Sequence, residues 1–554
     1  MNGRTLLPWL LLSTCLPGIT GCKSPETHKA EADRQVYDIV ERRRAELDAF
    51  DPFTIDPATD TLRKRLLNGE QLEPVDLQDA LVIAAENSRA YSDQREALFI
   101  TALNLTLQQW NFGVQESANA SLDTTGSDTN AETRTGTAAF SISKLFTTGM
   151  QLVAAVALDT VRLIGNDNNT SSTWQEITRA TLSITQPLLR GFGEEIVREP
   201  LTQAERNVLY EVRDYERFRR TFAFTVASQY FGVLQGLDTV VNEEENYRGL
   251  QALRERNESF AEAGRLDSID VDQARQDELR ARNRLIIAES GLETDYDDFK
   301  FLLGLPIESA LPLDPGEYLS LDTWDFLELD PPEEVVVGLA LEYRLDFLNA
   351  AEEVEDAERR VHIAEDALRN GLDFQFSSDY RSDRGDAWDF DRENIDWQVA
   401  LQFDLAIDRL PERNAYRARL VQLQQVTRDA EELSDSIIAD LRAQLRTLRT
   451  ARESYKIQQQ AVELAARRVE STELQLEAGR SDTRDVLESQ EALVNARNAL
   501  TSALVSYILS GLALYRDMEL LEVTAEGVTV DTAPILAALD PANAATDDQE
   551  DDVP

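Results

Sequence analysis

Histidine and cysteine are scarce in this chain of 554 residues, which contains two of each. Metal sites of the zinc type and Cys–His nucleophile pairs need such side chains close together. His28 and His362 lie far apart in the sequence, and no glycine-rich phosphate loop is present. The numerous Asp and Glu residues fall on the faces of predicted helices, where solvent exposure explains them. We therefore expect no enzyme, no cofactor and no metal ion.

Basic residues are also few, since 55 Lys and Arg stand against 102 Asp and Glu, for a formal net charge of −47 at pH 7. A polyanion would be repelled by such a surface, so nucleic acid is excluded as a partner. After the N-terminal region no stretch of 18 consecutive apolar residues occurs, and no membrane-spanning helix is expected. A membrane contact would then require a lipid anchor or a β-barrel.

The N-terminus has the layout of a secretory signal. Arg4 precedes an apolar run from 5 to 16, and small residues lead from there to Cys22, which resembles the lipobox of bacterial lipoproteins. The alternative is an ordinary signal peptide with a cysteine at this place by chance. The lipobox interpretation predicts cleavage before Cys22 and acyl chains on its sulfur and amino group. Because Lys23 follows, the anchored chain is expected in the outer membrane.

A repeat dominates the remainder of the chain. Residues 262–271 and 477–486 are identical at seven of ten positions, 215 residues apart, and the helical patterns around them share this offset. A common register over about 80 residues indicates a duplicated unit. Each copy is predicted to contain a long helix, a Gly-Arg turn and a second long helix. Heptads over 441–476, with a second apolar stripe beside them, predict two neighbours for that helix, as in a closed ring of helices.

Alternating runs separate the helices. They lie at 112–122, 137–146, 150–158, 180–188, 372–380 and 397–407. Each run is about ten residues long, with an apolar face and a Gln/Ser/Asn/Asp face, which is the pattern of membrane β-strands. A half-buried sheet of a soluble protein would show the same parity, but the length of the runs and the anchor favour lipid. Polar loops are expected at 123–136, 165–173 and 381–393.

These patterns predict six segments along the chain. They are a signal peptide (1–21), a lipid-anchored N-terminal segment (22–73), a first repeat (74–305), a linker (306–332), a second repeat (333–520) and an acidic, disordered tail (521–554).

Several of the motifs resemble the TolC-like outer-membrane efflux protein family. Residues 182–193 resemble its strand-to-helix junction, and the Ala-Gly-Arg turns at 263–265 and 478–480 match its helix-hairpin tips. Residues 485–488, Asp-Val-Leu-Glu, match the acidic motif that follows the second tip. The likeness covers about residues 74–520.

The resemblance implies a mixed α and β membrane protein. It would be a homotrimer in which each subunit gives four strands to one outer-membrane β-barrel, continuous with a long periplasmic α-helical barrel. The implied function is passive export, with a periplasmic adaptor (membrane fusion protein) and an inner-membrane transporter as partners and outer-membrane lipid around the barrel. The two runs within 137–158 depart from this pattern. They form either an extra hairpin outside the barrel wall or an extension of the strands.

The resemblance also implies site residues. The tips expected to contact an adaptor are Ala263, Gly264, Arg265, Ala478, Gly479 and Arg480. The carboxylates expected at a periplasmic gate are Asp485 and Glu488, with Asp482 beside them and Asp267 and Asp270 in the first repeat. Gln273 stands at the position equivalent to Glu488, so the two tips are not equivalent.

Electrostatics supports a gate at Asp485 and Glu488. A threefold axis would bring three copies of each carboxylate together, and such a ring has to hold protons, bind cations or be offset by Arg480 and Arg484. The alternative is that Asp485 caps the last helix, or that Glu488 completes a capping arrangement. For the whole chain, the alternative is a periplasmic coiled-coil structural lipoprotein without a pore, which explains the anchor and the heptads but not the strands.

Overall fold

Most of the described chain is helical. The computed structural model describes residues 23–46, 53–56, 60–127, 130–164, 174–314, 327, 329–478, 480–524 and 527–539. Two units are distinguished by their internal contacts. We call Met1–Thr54, Ala97–Val212 and Asp356–Gln422 the sheet unit, and Ile55–Glu96, Arg213–Glu355 and Leu423–Pro554 the helical unit.

Helices precede and follow the strands in both halves of the sequence. They are α1 (Pro25–Ala45), α2 (Leu62–Leu67), α3 (Leu77–Asn87), α4 (Arg89–Phe112), α5 (Glu194–Val197), α6 (Glu199–Glu262), α7 (Ser268–Leu302), α8 (Glu333–Tyr343), α9 (Leu345–Asp366), α10 (Leu410–Glu477), α11 (Thr483–Asp517) and α12 (Ala533–Leu539). Local chemistry sets their ends. For example, Asp76 caps α3 because its carboxylate accepts a hydrogen bond from the Asp79 N–H at 2.7 Å.

The six alternating runs form one sheet in the sheet unit. Its strands are β1 (Val114–Ser127), β2 (Asn130–Leu145), β3 (Gln151–Ile164), β4 (Gln175–Pro187), β5 (Gly371–Arg381) and β6 (Ile395–Asp404). They lie side by side in sequence order, each antiparallel to the next. The predicted loop at 123–136 is wrong, because β1 and β2 pair through most of this stretch. Its Thr-rich sequence suits strands that are polar on both faces.

The core of the helical unit combines residues from α3, α6, α7, α8, α10 and α11. Tyr230, Ile437, Leu441 and Ile508 are fully buried in it, and the Tyr230 ring meets the Phe299 ring edge-on at 6.2 Å. Burial of each such side chain contributes about 1.5–3 kcal/mol. The predicted heptad thus begins as a core stripe, because every seventh residue of α10 returns to the same face.

Residues 521–524 and 527–539 are folded, so the prediction of a disordered tail is wrong for these parts of 521–554. Strands β7 (Leu521–Thr524) and β8 (Gly527–Val530) form a hairpin, and Ile535 of α12 is fully buried in the core with Leu521. The acidic run at the end of the sequence dominates the composition of the tail and hid this short apolar pattern. Residues 540–554 lie outside the described residues.

Helix α11 is long and apolar enough to cross a membrane, by length and composition alone. However, 56% of its most apolar window is buried inside the protein. Leu504, Ile508, Leu512 and Tyr515 of this helix belong to the core of the helical unit. We therefore interpret α11 as a core helix.

A tight approach in the helical unit gives a test of the packing. Gly304 follows α7 with φ +74°, and a Cβ there would lie 2.1 Å from the carbonyl oxygen of Asn87. Gly304→Ala should therefore lower the apparent melting temperature in detergent, at a cost of about 2 kcal/mol or more. The control is Gly291→Ala on α7, where a Cβ meets nothing within 4 Å. That change should be neutral or slightly stabilising, and equal melting of both variants would contradict the close approach.

Candidate functional site

One face of the sheet is mostly apolar in all six strands, with Glu116 and Lys144 as charged residues on the same face. The strand registers bring these side chains to the same face: Val114, Ala118, Ala120, Leu122, Ala138, Phe140, Ile142, Leu152, Ala154, Val156, Leu158, Ala180, Leu182, Ile184, Leu372, Phe374, Phe376, Trp397, Val399, Leu401 and Phe403. Strands of period two place alternate residues on opposite faces, and no register slip interrupts the pattern over this set.

Much of this apolar face is exposed in a single chain. Leu122 is 74% exposed, Trp397 71% and Leu401 68%. Soluble proteins rarely expose apolar patches of this extent, so we expect this face to be in contact with another apolar surface in the native protein. The band runs from Val114 to Leu122 in β1, interrupted by Glu116, and corresponds to about 20–25 Å for strands tilted by about 40°. This is the height of the apolar band on membrane β-barrels.

The opposite face is mostly polar, although β3 places Val153, Val161 and Leu163 on it. Ser117 and Ser141 hydroxyls are 2.7 Å apart, and the Gln375 side-chain amide donates to Gln402 at 3.0 Å. Ion pairs join Arg179 to Asp379 and Arg190 to Asp404, at 3.7 and 3.0 Å. Since these pairs are partly exposed, they contribute little stability and keep the surface wettable. The sheet therefore has one mostly apolar face and one mostly polar face.

The first helix tip joins α6 to α7 in the helical unit. The Gly264 N–H donates to the Ala261 carbonyl at 2.9 Å, and the Arg265 N–H donates to the Phe260 carbonyl at 2.8 Å. Gly264 adopts φ +71°, which a glycine permits without the strain of a Cβ. Asp267 precedes α7, but its side chain makes no capping hydrogen bond.

The second tip joins α10 to α11 and ends in a capping box. The Arg480 N–H donates to the Gln475 carbonyl at 2.8 Å, as in the first tip. The N-cap of α11 is Asp482, and Asp485 is at N3, where its Oδ2 accepts from the Asp482 N–H at 3.3 Å. Ser481 Oγ also donates to Asp485 Oδ2, at 2.7 Å. The cap thus lies three residues before the position proposed from the sequence, and Glu488 takes no part in it.

The two donors at Asp485 have an electrostatic consequence. Hydrogen bonds from Ser481 and from the Asp482 N–H lower the pKa of the Asp485 carboxyl below its usual value. A lowered pKa in the folded state means that the box stabilises the tip above the pKa of the unfolded chain. This stabilisation is lost as the pH falls through the folded pKa. At neutral pH, Asp485 is therefore ionised and bonded.

Buried contacts hold the tip helices together. Leu250 and Leu253 of α6, Ala281 of α7, and Val486 and Leu487 of α11 form a small apolar cluster. Beyond it, the fully buried Asn257 side chain donates to Thr483 Oγ1 at 3.2 Å, which links α6 to the first residue of α11. Nothing in the sequence indicated this hydrogen bond, because a buried polar residue beside a heptad stripe cannot be told from a solvent-exposed one by its spacing.

Glu488 lines a cleft of about 200 Å³ between α6, α7 and α11, and Arg484 lies in the same cleft. The first-repeat counterpart of Glu488, Gln273, lies there too. The cleft already holds the acids Asp277, Glu488 and Glu491 beside Arg280, Arg284 and Arg484. Burial raises the pKa of Asp277, although Arg280 opposes the shift. A glutamate in place of Gln273 would add a further like charge, which explains the difference between the tips.

The other site residues predicted from the sequence lie in or near the two helix tips, or outside the described residues. Asp270 is in the first turn of α7, and Ala263 and Ala478 are in the turns that follow α6 and α10. Glu488 is 60% exposed and lies 3.9 Å from Arg468. Cys22 and Gly479 lie outside the described residues, so the anchor and the centre of the second turn stay predictions.

Comparison with known proteins confirms the family resemblance. Residues 336–517 match the sequence model of the family described as outer membrane efflux protein. The fold is similar to the outer membrane channel CmeC of Campylobacter jejuni (14% identity, 80% of this chain and 85% of that chain, TM-score 0.58). It is also similar to the outer membrane protein VceC of Vibrio cholerae (14%, 80% and 95%, 0.58) and to the outer membrane channel MtrE of Neisseria gonorrhoeae in its open state (15%, 80% and 88%, 0.58). No curated protein sequence matches the chain.

The capping box can be tested by hydrogen exchange at the tips. Asp485→Ala removes the acceptor of the bonds from the Ser481 hydroxyl and the Asp482 N–H, so the amides of 482–486 should exchange about fivefold faster at neutral pH. Asp270→Ala, at the same position of α7, is the matched control, because no capping box is formed at the start of that helix. It should change exchange at 268–271 much less. Equal acceleration at both tips would refute the difference between them.

Proposed function

We propose that this chain is the outer-membrane channel of a tripartite efflux or type I secretion system. It conducts substrates passively from a periplasmic pump assembly to the exterior. The observation that carries the proposal is the sheet with one apolar and one polar face, in a chain whose residues 336–517 match outer membrane efflux proteins. A lipid contact for the apolar face and water for the polar face suit a strand wall around a pore.

A homotrimer anchored through Cys22 completes the proposal. The second stripe of α10 supports contact with another copy, because Ile457 is 61% and Leu464 59% exposed in the single chain. Such residues at heptad spacing call for a helical neighbour. The chain would lie in the outer membrane and extend into the periplasm, where an adaptor and an inner-membrane transporter bind it.

The gate is proposed at Asp485 and Glu488, with Asp482, Asp267 and Asp270 on the same tips. Asp485 remains charged at neutral pH because two donors lower its pKa. Glu488 has Arg468 and Arg484 nearby, which offset its charge. Asp485 therefore serves two roles in the proposal, as the N3 member of the capping box and as a charge at the constriction.

Conductance in planar bilayers tests both the pore and the gate. The purified protein should give discrete channels. Asp485→Asn combined with Glu488→Gln should raise the single-channel conductance severalfold, because the charged groups that narrow the passage and form contacts across it are removed. Ser481→Ala is the control, since it weakens the cap and leaves both carboxylates in place. We expect wild-type conductance from it.

Two outcomes separate the alternatives. A structural lipoprotein without a pore would give no channels and no heat-dependent shift on gels, which would reject the proposed function. Channels whose conductance is unchanged in the double variant would leave the pore in place and reject the gate.

The adaptor contact can be tested at the turns. Photo-crosslinking residues in place of Arg265 and Arg480 should link to the adaptor in cells with a working pump, because both turns end exposed helix hairpins. Trp388 in the sheet unit is the control position, since it is 61% exposed and is not at a tip. Adaptor links from Trp388 alone would contradict the assignment of the tips.

A further inference from the structure

The sheet has two open edges, β1 and β6. Almost every residue of both strands is exposed, whereas most residues of β4 and β5 are partly covered. Neither edge strand contains proline, lysine or arginine, which commonly protect an open edge. An exposed apolar edge such as β6 either pairs with another strand or aggregates.

We propose that β1 of one copy pairs with β6 of the next copy, so that every copy adds all six strands to the barrel. A trimer then has three times six, or 18, strands, whereas the family resemblance implies three times four. The inference rests on the proposed channel function. The partner is a second copy of this chain, because the two edges occur on one molecule and complement each other.

Strand direction permits this closure. The six strands alternate in direction along the sheet, so β1 and β6 run antiparallel to each other. When copies are related by rotation about the barrel axis, β6 of one copy meets β1 of the next in the antiparallel sense. The backbone groups of both edges are then paired, as a spanning sheet in lipid requires.

The faces also match across the new pair. In β6 the apolar residues have odd numbers, such as Val399, and in β1 they have even numbers, such as Ala118. A register that keeps these on one face and sets Trp397 opposite Ala120 also sets Val399 opposite Ala118 and Leu401 opposite Glu116. Large side chains opposite small ones fill an interface without voids.

Strands β2 and β3 are built into the sheet. They pair with each other from Glu132 to Leu145, and β3 pairs with β4 over most of its length. Their turn is also fastened to the end of β4, because Thr148 Oγ1 and the Gln186 side chain lie 3.2 Å apart and the Gln186 amide donates to the Thr148 carbonyl at 3.1 Å. If the hairpin of β2 and β3 lay outside the barrel wall, it would not lie between β1 and β4 in the sheet.

Gly149 makes this fastening possible. It has φ +88°, and a Cβ there would lie 2.8 Å from the carbonyl oxygen of Gly191 in the turn after β4. The close approach of the two turns therefore requires glycine at this position. This contact gives the inserted hairpin a fixed place at the base of the sheet.

The added strands would widen the pore. With strands about 4.8 Å apart and tilted by about 40°, a ring of 18 has a backbone diameter of about 36 Å, against about 24 Å for 12. The polar face of the first strands carries small side chains, including Ser117, Ser141 and Ala155, which leave the interior open. A passage of this width admits hydrated solutes far larger than an ion.

Disulfide formation between copies tests the edge pairing. Asn119 and Gln398 are on the polar face of the two edge strands, so Asn119→Cys with Gln398→Cys should give covalent trimers on mild oxidation. Ser117 and Ser121 replace Asn119 in two further variants, which cover neighbouring registers on the same face. The control is Asn119→Cys with Val399→Cys, whose side chains point to opposite faces. We expect at least tenfold less trimer from it.

A density map of the full-length protein in lipid nanodiscs provides the second measurement. It should show 18 strands in the ring. Equal crosslinking in the face-mismatched control, or a ring of 12 strands with β2 and β3 outside it, would overturn the inference. A ring of 12 that still conducts ions would leave the proposed function intact, whereas the absence of both ring and conductance would reject the two together.

Discussion

The structure depends on the pairing of backbone N–H and C=O groups in a sheet whose one face is apolar. In lipid, an unpaired group costs several kcal/mol, so a spanning sheet has to be continuous. The sequential order of β1 to β6 satisfies this within one chain everywhere except at the two outer edges. The same constraint explains why the alternation keeps one phase in every strand despite Glu116 and Lys144, because a slip by one residue would move every apolar side chain to the polar face.

A different constraint applies at the helix tips, where nearby acceptors and charges have to satisfy the backbone N–H groups that begin each helix. Both turns close with the same bond, from Arg265 to Phe260 and from Arg480 to Gln475. Only the second continues into a capping box, with Asp482 and Asp485. Two turns closed by the same backbone bond therefore lead to helix starts with different caps, and Asp485, which the proposal places at the gate, also has a structural role in the second tip.

The parts of the fold with strong periodicity were predictable from the sequence. The β6 alternation, the N-cap at Asp76 and the buried heptad positions such as Leu441 all follow from a single repeated spacing. The outer ends of β1 and β2 were not predictable, because strands that are polar on both faces have the composition of a loop. Asp482 was missed as the N-cap because three acidic residues compete for the role within seven positions, and only the Ser481 and backbone hydrogen bonds decide among them. The partner of Asn257 had no signal in the sequence at all.

The number of strands matters for which part of a channel limits flow. Segments of a pore in series add their resistances, and resistance falls with cross-sectional area. Going from 12 to 18 strands increases that area about twofold. In that channel, a ring of 18 strands would add little resistance beside the proposed constriction at Asp485 and Glu488. In the proposed channel, selection would therefore be concentrated at the helix tips, and the sheet would serve as a wide exit whose small polar side chains hold few solutes back.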